Sequence, residues 1–381
     1  MPKKSSTIEV DGPLVAWARE TIGLSHSKLA KKLNVKPSLL EEWEKTGAHP
    51  TARQLEKLAD ATKRPLAAFF LAEPPQEPEV PDFRIPPSDG PLLKTSPTLL
   101  AIRRARRLQR VFAELAEELG DAPSLELALS RDEAPEEAAA RARQTVGVSV
   151  DEQTEWKDAD TALKVWRSRL ERLGVVIFQF AMPSKEVSGF SLSNSAPAIV
   201  LNRKDSHARR VFTLFHEWAH ILLGEAGLCA VVEGYGRERD EEVFCNAFAG
   251  AFLVPMLAFS ESAPFVQYRH RQMTLDQAAT EGARLFSVSR YVILRRFLTA
   301  QVISRETYRQ TVDAWGEPRP PKKTKGGAPP YRIAVSELGT RFISHVLTAH
   351  ERGLIGDGDV AEYLSLRLKH LERVQELVPV A

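Results

Sequence analysis

The sequence has few cysteines, no long apolar run and almost no net charge. Cys229 and Cys245 are the only thiols in 381 residues, which excludes a disulfide framework and indicates a reducing compartment. No apolar stretch is long enough to span a bilayer, and no signal region follows the first residues. The formal net charge of +2 does not indicate a global polyanion-binding role. These absences predict a cytoplasmic protein without a membrane partner, and its length predicts two or three domains.

The most informative segment is an HExxH motif within a strongly apolar helical pattern, His216-Glu217-Trp218-Ala219-His220. Side chains four residues apart project from one face of an α-helix, so both imidazoles can bind one metal ion. Glu217 beside them is placed to act as general base toward a water molecule. Asp205-Ser206 offers a cap for the start of this helix, and Leu223-Gly224 offers a glycine-terminated end. The apolar context favours a buried catalytic metal site over a pair of surface histidines on an amphipathic helix.

A tetrahedral zinc site needs a third protein ligand and one open position for water. The acidic helical segment 240–249 supplies Glu242, and Asn246 four residues later would lie on the same helix face. Asn246 would then hydrogen-bond a ligand histidine and fix the orientation of its ring. The predicted ligands are His216, His220 and Glu242, with zinc as the metal and manganese or iron as alternatives.

Other residues compete for roles at this site. Glu238 and Glu241 are rival ligands, although acidic residues in a first helical turn are common for helix-dipole reasons. Cys245 is a weaker rival, because a lone helical cysteine usually packs in a core. A peptidase also needs a hydrogen-bond donor for the developing oxyanion. Tyr235, Tyr268 and His270 lie in plausible stretches, but the sequence does not assign the donor role to any of them.

The N-terminal segment has the pattern of a small helical domain. Residues 13–72 predict five short helices around one core. Ser27 is expected to cap the second helix, and Pro37 suits the first position of the third. The turn Asn34-Val35 lies between these two helices, as in a helix-turn-helix whose later helix enters the major groove of DNA.

The segments Leu29–Val35 and Glu42–Gly47 resemble the Xre/Cro repressor helix-turn-helix family, over about 60 residues in all. The resemblance implies DNA binding. Over residues 1–72 there are 12 basic and 8 acidic side chains, a mildly basic balance of +4. The residues expected to contact DNA are in the second helix, the turn and the start of the third helix: Lys28, Lys31, Lys32, Lys36 and Ser38.

The third helix also carries features against DNA binding. Glu41, Glu42 and Glu44 stand where base and phosphate contacts would favour Arg, Lys, Gln or Asn. The alternative is a small bundle that mediates dimerisation or contact with a protein partner.

Between the N-terminal domain and the HExxH helix, the sequence predicts a linker, a basic helix and a small sheet. The proline-rich residues 73–98 predict an extended linker, and the helix after it begins with an arginine cluster. We interpret that cluster, Arg103 to Arg110, as the solvated face of an amphipathic helix rather than a nucleic-acid contact.

Strands predicted at 175–180, 188–192 and 198–202 would form a small sheet beside the HExxH helix. An exposed edge strand there would suit an extended substrate peptide.

A second resemblance covers about residues 160–260. The predicted strands, the HExxH helix and the acidic helix of this chain resemble those of the ImmA/IrrE family of metallopeptidases. The segments that carry the resemblance are Gly189–Leu192, Ile199–Asn202, Phe212–His220, Glu242–Ala249 and Leu253–Pro255. One difference is Cys245, where the family usually has alanine. Pro81-Asp82-Phe83-Arg84 resembles a motif often found between an Xre domain and such a peptidase.

This resemblance implies zinc ligation by His216, His220 and Glu242, with Glu217 as the catalytic base. Family peptidases are associated with cleavage of Xre-type repressors, which switches on genes for stress responses or mobile elements. The expected function is therefore a regulated zinc endopeptidase with a repressor as substrate and DNA as a further partner, and a homodimer is compatible with the sequence. The alternative is a DNA-binding transcriptional regulator whose metallopeptidase-like domain senses a ligand without cleavage.

The expected fold is α+β. An all-α helix-turn-helix domain at 1–72 and the linker at 73–98 precede a mainly helical peptidase domain with a small β-sheet at 99–300, whose core is 160–260. Residues 301–381 are expected to form a helical C-terminal module, whose role the sequence does not indicate. A basic loop is expected within it at 318–327.

Overall fold

The computed structural model describes residues 6–45, 49–76, 95–122, 127–183, 187–193, 196–224, 240–316 and 327–378. The chain divides into two compact units, Met1–Pro81 with Pro91–Arg104, and Asp82–Gly90 with Ala105–Ala381. The predicted α+β class is confirmed, because helices dominate and one three-stranded sheet is present in the described part. No helix in the described ranges has both the length and the apolar character needed to cross a membrane.

The described residues of the first unit up to Gln76 form four α-helices and a short 3-10 helix: α1 (Gly12–Glu20), α2 (His26–Leu33), α3 (Pro37–Lys45), α4 (Ala52–Thr62) and the 3-10 helix Leu66–Phe70. Its core consists of apolar side chains from each element, with Leu29, Leu40 and Trp43 almost completely buried. Burial of such side chains is the main favourable term for so small a domain. Four of the five predicted helices are α-helices, and the fifth is the 3-10 helix Leu66–Phe70.

The start of α2 differs from the prediction. Ser25, not Ser27, caps this helix, since its side chain accepts a hydrogen bond from the backbone N–H of Lys28 at 3.3 Å. Ser25 has extended backbone angles, whereas Ser27 lies inside the helix, and a capping residue must stand outside it. At the other end, Asn34 has φ 58°, in the left-handed region that asparagine tolerates.

The long helix α5 (Ser96–Leu119) leads into the second unit. The elements that follow are α6 (Pro135–Val146), α7 (Val150–Thr154), α8 (Ala159–Arg172), β1 (Val176–Phe180), β2 (Gly189–Leu192), β3 (Ala198–Asn202), α9 (His207–Leu222), α10 (Asp240–Leu253), α11 (Met256–Glu261), α12 (Ala263–Arg269), α13 (Leu275–Leu285), α14 (Arg290–Thr299), α15 (Arg305–Trp315), α16 (Pro330–Leu338), α17 (Thr340–Glu351), α18 (Asp357–Tyr363), a 3-10 turn Leu368–His370, and α19 (Leu371–Gln375).

The sheet has the order β1-β3-β2. β3 pairs in parallel with β1, with Val176 opposite Ala198, and antiparallel with β2, with Gly189 opposite Leu201. Every residue of the three strands is buried. The prediction of an exposed edge strand is not met, because all residues of the two outer strands, β1 and β2, are buried. Helix α9 packs against β2, and α16 packs against β1.

Helices α9 and α10 pack on each other through aromatic side chains. The rings of Phe215 on α9 and Phe252 on α10 are stacked with centroids 4.0 Å apart, and Trp218 meets Phe252 edge-on at 5.8 Å. Trp166 of α8 closes the cluster against Phe215 at 5.1 Å. These side chains are fully buried, so the apolar faces of three helices fix how α9 sits against α10.

Helices α16 and α17 pack against β1 and α8 of the second unit. Arg167 of α8 donates a hydrogen bond to the backbone oxygen of Ser336 at 2.6 Å, and Gln179 of β1 donates to the same oxygen at 2.9 Å. Glu171 accepts from the backbone N–H of Thr340 at 3.2 Å, at the start of α17. A buried carboxylate at a helix N-terminus satisfies otherwise unpaired N–H groups. Residues 330–351 are thus part of the core structure of this unit.

The arginine cluster at the start of α5 makes contacts within the protein. Arg103 donates hydrogen bonds to the backbone oxygens of Thr62 and Lys63 at 2.8 and 2.7 Å, at the end of α4. Arg107 forms an ion pair with Glu362. Several other predicted features lie outside the described residues: Cys229, the PDFR motif at 81–84, most of the proline-rich linker and the basic loop at 318–326.

Candidate metal centre and helix-turn-helix surface

Helix α9 carries the HExxH motif and is buried along most of its length. Ser206 caps its start by accepting a hydrogen bond from the N–H of Arg209 at 3.3 Å, and Gly224 follows its end with φ +72°. His216 and His220 are one turn apart, and their Nε2 atoms are separated by 3.3 Å. Their side chains are 0% and 1% exposed, so two imidazoles converge in a space from which water is almost excluded.

Glu242 in the first turn of α10 completes a cluster with the two histidines. Its Oε2 lies 3.4 Å from His216 Nε2, and its Oε1 lies 3.5 Å from His220 Nε2. Among the residues that the structure describes, these three form the one group of His, Cys, Asp or Glu side chains with metal-binding spacing. Glu241 and Cys245 are buried beside it on α10 but do not belong to the group, and Glu238 lies outside the described residues.

The spacing of the three side chains fits a tetrahedral ion. Zinc bonds imidazole nitrogen and carboxylate oxygen at about 2.0–2.2 Å, so neighbouring corners of its tetrahedron are about 3.3–3.6 Å apart. The observed separations of 3.3, 3.4 and 3.5 Å match those edges. Two neutral imidazoles and a carboxylate are also a donor set that zinc, manganese and iron accept.

Glu217 is fully buried beside this cluster, and its two carboxylate oxygens have different surroundings. Oε2 accepts a hydrogen bond from Ser191 Oγ at 3.0 Å, whereas Oε1 has no hydrogen-bond partner among the described residues. Burial raises the pKa of Glu217 well above 4.5, and the negative charge of Glu242 raises it further, while the bond from Ser191 lowers it. A carboxylate with a raised pKa and an unbonded oxygen has the properties of a general base.

The remaining residues considered for this site are Asn246, Tyr268, His270 and Tyr235. Asn246 is half-buried on α10, and no hydrogen bond joins it to His216, whose Nδ1 has no partner in the described part of the chain. Its role in orienting a histidine therefore stays a prediction. Tyr268 packs edge-on against Phe297 with ring centroids 5.0 Å apart, and His270 is exposed after the end of α12. Tyr235 lies outside the described residues.

Sequence reasoning missed the contribution of strand β2. Ser191 and Gly189 lie on the strand face that meets α9, and a Cβ atom at Gly189 would lie 2.5 Å from the side chain of Thr213. Glycine at this position permits the close approach of strand and helix. The signal available in the sequence was a pair of small residues at alternate positions of an otherwise apolar strand.

On the helix-turn-helix unit, the predicted DNA-contacting side chains are all exposed. Lys28, Lys31, Lys32, Lys36 and Ser38 line α2, the turn and the first turn of α3.

The acidic residues of α3 differ in environment. Glu41 and Glu42 are exposed, but Glu44 is turned into the domain, where its carboxylate accepts two hydrogen bonds from Arg19 at 2.7 and 2.8 Å. His26 Nε2 lies 2.9 Å from the same carboxylate. One of the three acidic side chains that argued against DNA binding is therefore part of the domain's own structure.

Two family models match these two regions. A helix-turn-helix family matches residues 15–69, and the IrrE N-terminal-like domain family of peptidases matches residues 170–298. A search of curated proteins found no significant match. The second match spans the sheet, α9 and α10, and so includes the whole His216, His220 and Glu242 cluster. The predicted resemblance is confirmed: the chain joins a helix-turn-helix domain to a metallopeptidase-like domain of the IrrE type.

Proposed function

We propose that this protein is a zinc-dependent endopeptidase that acts on a regulatory protein. The observation that carries the proposal is the separation of 3.3–3.5 Å among ligand atoms of His216, His220 and Glu242. The consecutive helices α9 and α10 hold a carboxylate and two imidazoles together in a largely buried space. A cation explains this arrangement, because a carboxylate withdrawn from water is costly unless it is paired.

The chemistry requires one metal ion and one base. Zinc bound there would polarise the scissile carbonyl and lower the pKa of water to about 7. Glu217 Oε1 accepts one proton from the attacking water, whose oxygen bonds to the carbonyl carbon. As the carbon–nitrogen bond breaks, Glu217 gives that proton to the departing amine. One water molecule is consumed, and Glu217 returns to its starting state.

We propose an Xre-type repressor, or a related partner of similar fold, as the substrate. The fused helix-turn-helix unit supports this, because it would bring the peptidase to DNA or to a protein bound there. Lys28, Lys31, Lys32 and Lys36 are exposed on one segment and would contact phosphates, with Ser38 beside them. Such a role places the protein in the cytoplasm, in control of stress-response or mobile-element genes. Binding to a symmetric operator would require a homodimer.

One observation favours a second candidate function. The histidines and Glu217 are at most 1% exposed, and a substrate peptide needs access to them. In this candidate, the protein is a DNA-binding regulator whose metallopeptidase-like domain senses a ligand or partner without cleavage. The presence or absence of proteolysis separates the two.

The decisive experiment is co-expression with a candidate Xre-type helix-turn-helix repressor, with fragment size as the readout. Wild type should produce defined fragments, and His216→Ala should produce none. Glu217→Gln should retain about one zinc per chain but lose cleavage, because only the base is removed. Cleavage that survives in Glu217→Gln would refute the base assignment, and repressor left intact by zinc-loaded wild type would favour the sensor.

DNA binding needs a separate test. The affinity of the full chain for the repressor's operator should fall with salt, and Lys31→Ala should reduce the salt slope by about one ion. Lys57→Ala, on the neighbouring helix α4, is the matched control and should leave the slope unchanged. Equal slopes for both variants and wild type would contradict the proposed phosphate contact.

A further inference from the structure

We propose that Ser191 is a positioning residue for the hydrolysis: its hydroxyl holds one oxygen of Glu217 and leaves the other free to take the proton from water. This inference rests on the proposed function. It is carried by a hydrogen bond of 3.0 Å from Ser191 Oγ to Glu217 Oε2, with both residues at most 1% exposed.

The sheet fixes the position of Ser191. Alternate residues of a strand face the same side, so Ser191 and Gly189 share the side of β2 that meets α9. A Cβ atom at Gly189 would lie 3.6 Å from Glu217 Cγ and 2.8 Å from the backbone oxygen of Val200. Strand and helix are therefore in direct contact here, and pairing of Ser191 with Ile199 sets the register.

The two oxygens of Glu217 are made unequal by this contact. The terminal torsion of a glutamate side chain is broad and nearly two-fold, so an unrestrained carboxylate exchanges its oxygens. Ser191 removes that freedom by bonding Oε2, while Oε1 is buried and has no hydrogen-bond partner in the part of the chain that the structure describes. A general base works best when one lone pair is already placed for the proton that it will accept. Ser191 thus acts through Glu217 and does not touch the reacting atoms.

A nearby serine provides a matched control. Ser188 is 2% exposed and precedes the same strand, but its hydroxyl accepts a hydrogen bond from Arg209 Nε at 2.9 Å. Ser188→Ala therefore removes a buried hydroxyl and a side-chain hydrogen bond without removing a contact to Glu217. Any effect that Ser191→Ala shares with it is a general effect of disturbing the strand.

The first readout is binding rather than turnover. The full chain is loaded with Co²⁺ and titrated with acetohydroxamate, a small chelator whose acidic proton needs an acceptor beside the metal. Ser191→Ala should bind one Co²⁺ as wild type does, but should bind acetohydroxamate about tenfold more weakly, as expected for loss of a hydrogen bond to a charged group. Ser188→Ala should match wild type, and Ser191→Thr should recover to within about threefold, because it restores the hydroxyl.

The second readout is the split between kcat and KM on the repressor that wild type cleaves. Ser191→Ala should lower kcat about tenfold with KM unchanged, because the substrate-binding surface is untouched. If Ser191→Ala behaves like Ser188→Ala in both assays, the positioning role is wrong while the peptidase assignment stands. If wild type binds no Co²⁺ or zinc, the proposed function itself fails. Should Ser191→Ala not fold, Ser191→Cys keeps the shape of the side chain with a larger atom and a weaker donor, and it must show losses in the same direction.

Discussion

Replacing Glu44 with Gln is expected to destabilise the helix-turn-helix unit, although this residue lies on the helix expected to face DNA. The side chains of Glu44 and Arg19 are 5% and 9% exposed, so the substitution leaves the Arg19 cation buried without its main charge partner. Removing one partner of a buried ion pair costs about 3–5 kcal/mol. Arg19 keeps hydrogen bonds to Glu20 and to the backbone oxygen of Leu24, which favours the lower end, about 3 kcal/mol.

Amide hydrogen exchange in the full chain measures this effect locally. A loss of about 3 kcal/mol corresponds to exchange roughly 100-fold faster in peptides from α1, α2 and α3. Glu41→Gln is the matched control, because Glu41 is exposed on the same helix and its substitution removes the same charge. Protection in Glu44→Gln within threefold of wild type, or an equal loss in Glu41→Gln, would refute the structural role of this ion pair.

The same pair predicts a pH dependence. Burial raises the pKa of Glu44, but the hydrogen bonds from Arg19 and His26 outweigh it, and the pKa falls below 4.5. A carboxylate with a lowered folded pKa contributes its full stability above about pH 4.5, and the contribution is lost as pH falls through the folded value. The difference in protection between wild type and Glu44→Gln should therefore shrink below pH 4.5. A difference that stays constant down to pH 3 would contradict this assignment.

Two further predictions concern the metallopeptidase-like domain. Zinc at about 100 times its Kd should stabilise this domain by about 2.7 kcal/mol, seen as a rise in Tm. His216→Ala should abolish the rise, and an equal rise in that variant would show that zinc binds elsewhere. Gly339→Ala should lower Tm, because at φ +84° its Cβ would lie 2.6 Å from Arg167 Nη2 and 3.0 Å from the Ile177 oxygen. Gly353→Ala, at φ +72° in open space, should cost only about 1 kcal/mol, and equal losses would show that crowding at Gly339 is unimportant.

The sequence was most informative where function depends on local spacing. His216 and His220 share a helix face because four residues make about one turn, whatever surrounds the helix. The same local logic predicted the glycine after the end of α9 and the three strands before it. It erred at the cap of α2, since several serines compete there and the choice between Ser25 and Ser27 depends on how the chain enters the helix.

Contacts between segments distant in the chain required the tertiary structure. Packing of α9 on α10 decided that Glu242, rather than Glu241 or Cys245, faces the two histidines. The placement of Ser191 against Glu217 depends on the register of β2 with β3, which no short pattern encodes.

The sequence by itself determined the two domain types and the placing of His216 and His220 on one helix face, because helical periodicity and side-chain type are local properties. Only the tertiary structure decided that α16 packs against β1 and that Glu44 belongs to a buried ion pair. Both depend on long-range burial, which brings together groups such as Glu171 and Thr340 that are 169 residues apart. Side-chain identity sets what a residue can do, and packing against distant segments sets which partner it meets.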